Sequence, residues 1–410
     1  MLASLAGQAL PLRGGDACFD PHIKSIQLHK EGAPLVEPVV VLGSGEQVWL
    51  TFDDLSSERR YFTYRLVLCD ADWHPSDLPY TDYIAGFWDD NIADYNSSFN
   101  TLTPYTFFSL RLPNENTQFT LSGNYKIEVM DADYPNDILF SKGFAVVEHT
   151  LPFAVQCKVR QQPLAGQPEC RQRLDFKVDY TSVNIQNPRT EVKVRITQNG
   201  YLPPAVPPEP VFILPTGIDY AMYDKNLYAG GAEYRKFDIS SFEYRSLRVR
   251  KIQVEEGQYY VLLDEDAVLR QYIASTDING SYIVKNARYE ENSNTESDYA
   301  QVLFTLLTHR PLQGKVYVFG EFTNWQLSDD YLMLYSAERS TYELTLPVKQ
   351  GFYNYRYLLV DEDGNVDFGA LEGCSHETEN SYGIYVYYRS PLDRHDRLMN
   401  VTTVGLQNSK

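Results

Sequence analysis

The sequence predicts an all-β chain folded as three immunoglobulin-like β-sandwich domains in series, and three observations carry that expectation. Short segments alternate polar and apolar residues with aromatic and β-branched types enriched, as in Gln47-Val48-Trp49-Leu50-Thr51-Phe52, Tyr64-Arg65-Leu66-Val67-Leu68 and Tyr125-Lys126-Ile127-Glu128-Val129. A period of two marks a strand with one face buried. Gly, Pro, Asn and Asp turns separate these segments and helical patterning is scarce, Glu265 to Ile273 being the best short candidate. At 410 residues the chain exceeds what one core usually serves, and a hydrophobic content of 43% is enough for several. Two-faced strands in such number bury their apolar sides by packing sheet on sheet.

Taken in order, residues 1–18 are expected to be a leader. Met1 to Ala9 is apolar and small-residue rich without a basic start, which fits either the tail of a secretory signal or a short flexible leader. The first sandwich is expected over 19–148, closing with Gly143-Phe144-Ala145-Val146-Val147. After a break at His149-Thr150-Leu151-Pro152, a middle sandwich over 151–289 opens with the strand from Phe153 to Val159 and includes Leu174 to Tyr180 and Val192 to Ile196. Its proline cluster, Leu202 to Pro210, lacks amide donors and reads as a stiff connector. The acidic stretch Glu290 to Asp298 reads as a linker to a third sandwich over 299–390, and 391–410 as a polar, loosely held tail.

Charge and motif content exclude several function classes. With 36 basic against 55 acidic residues the net charge is −19, which repels a phosphate backbone and leaves no case for nucleic acid. No apolar run approaches the roughly 20 residues of a membrane-spanning helix, and the evenly spaced hairpins of an outer-membrane barrel are missing. There is no Gly-x-Ser-x-Gly elbow, His-Glu-x-x-His helix or phosphate-binding Gly-rich loop, so no catalytic residue, cofactor or metal site is predicted. The five cysteines are too scattered for a disulfide scaffold; Cys157 and Cys170 are placed either to bridge across a short connection or to remain buried thiols.

The most individual stretch lies between Arg65 and Arg111, which contains no lysine or arginine but seven aspartates from Asp70 to Asp94 interleaved with aromatics. Aromatics present large rigid contact areas, and a field of one sign selects partners by charge. Asp72, Trp73, Tyr83, Phe87, Trp88, Asp94 and Tyr95 are therefore the candidate partner-binding residues. The alternative is a solvated loop whose aromatics cap the core beneath it.

The run from Cys69 to Leu102, with Ile26-Gln27-Leu28-His29 and Ser44-Gly45-Glu46 before it and Leu112-Pro113-Asn114-Glu115-Asn116 and Leu121-Ser122-Gly123-Asn124-Tyr125 after it, closely resembles the plug protein family of the Bacteroidetes type IX secretion system. The resemblance extends over nearly the whole chain. It implies a non-enzymatic periplasmic protein on the inner side of the outer membrane, occluding the periplasmic opening of a large outer-membrane β-barrel translocon through protein–protein contacts. No homo-oligomer is expected. Separately, Ala300 to Arg389 resembles early-set immunoglobulin-like modules related to glycogen-binding domains. That second likeness implies sugar stacking at Trp325, yet Val366 stands where the second stacking tryptophan is expected and Arg356 where the relatives carry lysine. A periplasmic carbohydrate-binding protein is the alternative function.

Overall fold

The computed structural model describes residues 10–11, 14–148, 153–160, 170–181, 183, 185–200, 207–221, 226–269 and 271–405. Met1 to Ala9, the break at 149–152 and residues 202–206 of the proline cluster lie outside the described residues. Of the described residues 51% are in strand and 6% in helix, and the sheets pair into all-β sandwiches.

In the first sandwich, one sheet runs in the order Ile23–Lys30, Val48–Asp54, Thr106–Leu112, Asp94–Ser97. The facing sheet runs Ala17–Cys18, Tyr134–Val147, Gly123–Asp131, Phe62–Cys69, Asp89–Asn91, with Val39–Val41 parallel to Tyr134–Val147. The alternation of Phe62–Cys69 is realised literally: Phe62, Tyr64, Leu66 and Leu68 point into the core while Thr63, Arg65 and Val67 do not. Phe52 sits at the centre of that core, with its ring centroid 5.0–5.3 Å from those of Phe62, Phe108 and Phe140.

The other two sandwiches are not in series. The middle one stacks Ala154–Arg160, Arg171–Asp179, Gly217–Asp219 and Phe212–Leu214 against a sheet of Val192–Gln198, Ser381–Tyr388 and Arg397–Gly405. Its core joins Leu174, Phe176 and Val178 to Ile384, Val386 and Met399. The third sandwich is thus inserted into the middle one. It consists of Arg235–Asp238, Tyr282–Val284, Lys315–Phe319, Gly351–Val360 and Val366–Asp367 on one side, and Val249–Glu255, Gln258–Leu263, Tyr299–Leu307, Thr341–Lys349 and Leu334–Ser336 on the other. Strand pairing, a long-range property, decides these boundaries: Ser381–Tyr388, expected to close the third unit, pairs along its whole length with Val192–Gln198. Arg397–Gly405, expected as a loose tail, pairs with Ser381–Tyr388 and buries Leu398 and Met399.

Two local expectations also change. The described residues of 265–273 are not helical: Asp266–Ala267 pairs in parallel with Leu306–Leu307, and the Asp266 carboxylate accepts bonds from Arg235 and Arg248 at 2.7 Å, Tyr355 at 2.6 Å and Tyr357 at 2.8 Å. Four donors hold that residue in the core, and pairing overrides the helical pattern. Glu290 to Asp298 is not a linker either. It forms a short turn of helix, Ser293–Glu296, within the third sandwich, and its end docks on the first: Tyr105 Oη donates to Ser297 O at 2.8 Å, and Asp298 accepts from the backbone amides of Leu102 and Thr103.

Candidate docking surface

The Asp-rich loop begins with a turn built by its own side chain, Asp70 Oδ1 accepting the amides of Asp72 at 2.8 Å and His74 at 2.9 Å. The turn holds Trp73 at φ 64° and lays its ring on a bed of three glycines. A Cβ at Gly14, Gly15 or Gly143 would stand 2.2, 2.9 or 2.7 Å from that ring. No other residue leaves this space, so Trp73 closes over the N-terminal segment. Beside it, the carboxylate of Asp72 receives a two-pronged bond from Arg195 of the middle sandwich at 2.7 and 2.8 Å. Those bonds hold the Asp72 carboxyl below the usual aspartate range. Trp73 and Asp72 are therefore joints within the molecule.

Tyr83 ends the helical turn Tyr80–Tyr83 and is buried, its ring against Tyr125 and its hydroxyl donating to Leu66 O at 3.4 Å. Burial raises its pKa. Trp88 is half-buried, stacked on Tyr80 at 5.1 Å with the Arg65 guanidinium 5.9 Å from its ring centre. Beyond Trp88 the loop supplies the outermost strand of both sheets, Asp89–Asn91 on one and Asp94–Ser97 on the other. Charged residues on such edges discourage pairing with foreign strands, which gives Asp89, Asp90 and Asp94 a structural use as well as a field. Asp94 also accepts a bond from Ser109 Oγ.

Two of the expected aromatics face solvent. Phe87 is 60% exposed and Tyr95 37%, the latter carrying the Arg59 guanidinium 5.0 Å over its ring. Phe99, 65% exposed, and Tyr61 extend the apolar surface. Arg59 reaches Tyr61 as well, at 5.2 Å. Cations at or beyond the bounds of the stretch between Arg65 and Arg111 temper the acidic field: Arg65 at its edge, and Arg59 and Arg195 outside it. Phe99 carried a signal, since it stands within the same aromatic run two residues before Thr101 and beside the turn residue Asn100 at φ 59°.

Trp325, the expected sugar platform, is 2% exposed and packs in a satellite core with Tyr234, Phe319 and Leu358. A stacking platform needs an open ring face, and burial removes it. Among the described residues no group of three His, Cys, Asp or Glu side chains is placed to hold a metal ion, and no helix is long and apolar enough to cross a membrane.

Comparison with known proteins finds a similar architecture elsewhere. Residues 23–148 match the family described as the type 9 secretion system plug protein 1st domain. The crystal structure of a hypothetical protein from Parabacteroides merdae ATCC 43184 at 2.30 Å resolution superposes with a TM-score of 0.89 at 32% identity, covering 96% of this chain and 99% of that one. Over 71 residues the chain is also 38% identical to 1,4-alpha-glucan branching enzymes of Clostridium perfringens, from strain ATCC 13124 and from strain 13. That alignment takes in 17% of this chain and 10% of each enzyme, so it concerns a module and not a whole enzyme.

Proposed function

Because the chain belongs to the family of type 9 secretion system plug proteins, we propose that it is a non-enzymatic periplasmic plug held at the inner side of the outer membrane, occluding the periplasmic opening of the type IX β-barrel translocon. The observation that carries this reading is the match of residues 23–148 to the plug domain, within a whole-length likeness at 32% identity. A barrel wide enough for folded cargo leaks unless a rigid body covers its mouth, and such a body works through surface contacts alone. Rigidity is supported by joints between the sandwiches: Asp72 with Arg195, Tyr387 Oη with Asn124 at 2.9 Å, and Arg397 with Glu148 at 2.7 Å. The docking face is the outer edge of the first sandwich, where Phe87, Tyr95 and Phe99 stand exposed among carboxylates. Aromatic anchors of this kind concentrate binding energy, while the acidic surround steers approach to a basic or polar rim.

The test is affinity purification of the tagged chain from a detergent extract of outer membranes. Recovery of a very large β-barrel protein is the expected result. A tagged chain recovered in quantity without any such barrel would remove the plug reading.

A further inference from the structure

All five cysteines are free thiols, yet two of them, 204 residues apart, lie against each other. The Cys374 thiol donates to Cys170 O at 3.4 Å. The backbone around them is pinned. Cys170 O accepts from Gly230 N at 2.8 Å, while Gly231 O accepts from Ser375 N and from Thr378 Oγ1, both at 2.8 Å. A Cβ on Gly230 would stand 1.9 Å from Ser375 O, so the two passing segments approach as closely as backbones do. These are the crossing points of the insertion: the chain leaves the middle sandwich after Leu227–Ala229 and returns to it at Ser381–Tyr388.

The bridge that spacing left open between Cys157 and Cys170 has the wrong geometry. Cys157 pairs with Phe176, six residues further along the strand from Cys170, which is roughly 20 Å at about 3.3 Å per residue. A disulfide needs Cα atoms within about 7 Å. Cys170 and Cys374 instead line one open groove of ≈ 790 Å³ with Arg171, Asp361 and Phe368, which admits a reagent from solvent.

We propose that Cys170 and Cys374 are a disulfide-forming pair that, in an oxidising compartment, staples the exit of the inserted third sandwich to its return. The oxidant is a disulfide, either a small one or that of an oxidised Cys-x-x-Cys protein. Either cysteine, once deprotonated, makes the first attack, and the order with Cys170 leading is representative. The Cys170 thiolate displaces one thiol from the oxidant and forms a mixed disulfide. Cys374 then attacks the Cys170 sulfur and expels the second thiol. Two protons leave the cysteines, and their two electrons reduce the oxidant's disulfide to two thiols. Closing so long a loop restricts the unfolded chain strongly, which raises stability.

The experiment treats the full chain with glutathione disulfide, blocks remaining thiols with N-ethylmaleimide, and maps non-reduced tryptic peptides by mass spectrometry. The expected product joins peptide 161–171 to peptide 357–389, lighter by two hydrogens, and free thiols fall from five to three. Oxidised protein should also melt several degrees above reduced protein; Cys374→Ser should abolish that difference and Cys157→Ser preserve it. Five alkylated thiols after oxidation, or a crosslink that contains Cys157, overturns the proposal, and neither reading depends on any variant folding.

Discussion

Two aromatics separated by fourteen positions, Trp73 and Phe87, do opposite work in the first sandwich. Trp73 fills a hollow over three glycines, and Phe87 projects into solvent. Replacing half-buried Trp73 with alanine is expected to cost about 2 kcal/mol of unfolding free energy, below the roughly 3–5 kcal/mol of a fully buried tryptophan, as read by denaturant melts. Phe87→Ala should leave stability within about 0.5 kcal/mol and weaken barrel binding by about 2 kcal/mol, measured on the purified complex. Equal barrel affinity for folded Phe87→Ala, Tyr95→Ala and Phe99→Ala variants would move the docking face elsewhere. Asp72 gives a pH signature. Its carboxyl is held below the ordinary aspartate value by Arg195, so the bond stabilises fully above about pH 4 and is lost as pH falls through the still lower folded value. Asp72→Asn should therefore melt below wild type at pH 6, and the gap should close toward pH 2. The residue types of this site were readable in the sequence. Their division into joint and exposed anchor was not, because it depends on partners such as Arg195, 123 positions away.

At the scale of elements, period-two alternation found the strands wherever one face is buried, as along Phe62–Cys69 and Gly123–Asp131. It failed where chemistry of distant partners decides. Asp266 is drawn into a strand by two arginines and two tyrosines, a set that no window around Glu265 to Ile273 contains. The strand Arg397–Gly405 held its signal in Leu398, Met399, Val401 and Val404, but flanking polar residues masked it. Deleting residues 391–410 removes the burial of Leu398 and Met399 together with one side of the Ser381–Tyr388 ladder. A loss of about 4 kcal/mol or more is expected, read as a lower unfolding midpoint or failure to accumulate soluble chain. A truncated chain with the wild-type midpoint would return this segment to the status of a tail.

The molecule as a whole is held by a polar joint where the first and third sandwiches meet, which neither sandwich alone announces in its sequence. Lys349 Nζ lies 2.6 Å from Asp53 Oδ2, and both side chains are buried. Tyr299 Oη donates to the same oxygen at 2.6 Å, Lys349 also donates to Asn294 O at 2.7 Å, and its ammonium sits 4.2 Å from the centre of the Tyr105 ring. Burial pushes the Asp53 pKa up and the Lys349 pKa down, each toward its neutral form, and their mutual contact opposes both shifts. Removing one partner strands the other in a dry interface. Lys349→Met or Asp53→Leu alone should thus cost about 3–5 kcal/mol, because desolvation of the remaining group is no longer offset. The double variant should cost less than the sum of the two, since it removes both charges together, and a double-mutant cycle on denaturant midpoints gives that coupling directly. Additive losses would mean that the pair contributes no joint energy and that the sandwiches are held by packing around Tyr105, Phe107 and Tyr299 instead. A coupled loss would identify this ion pair as a lock between the first and third sandwiches, holding the proposed docking edge fixed relative to the rest of the body.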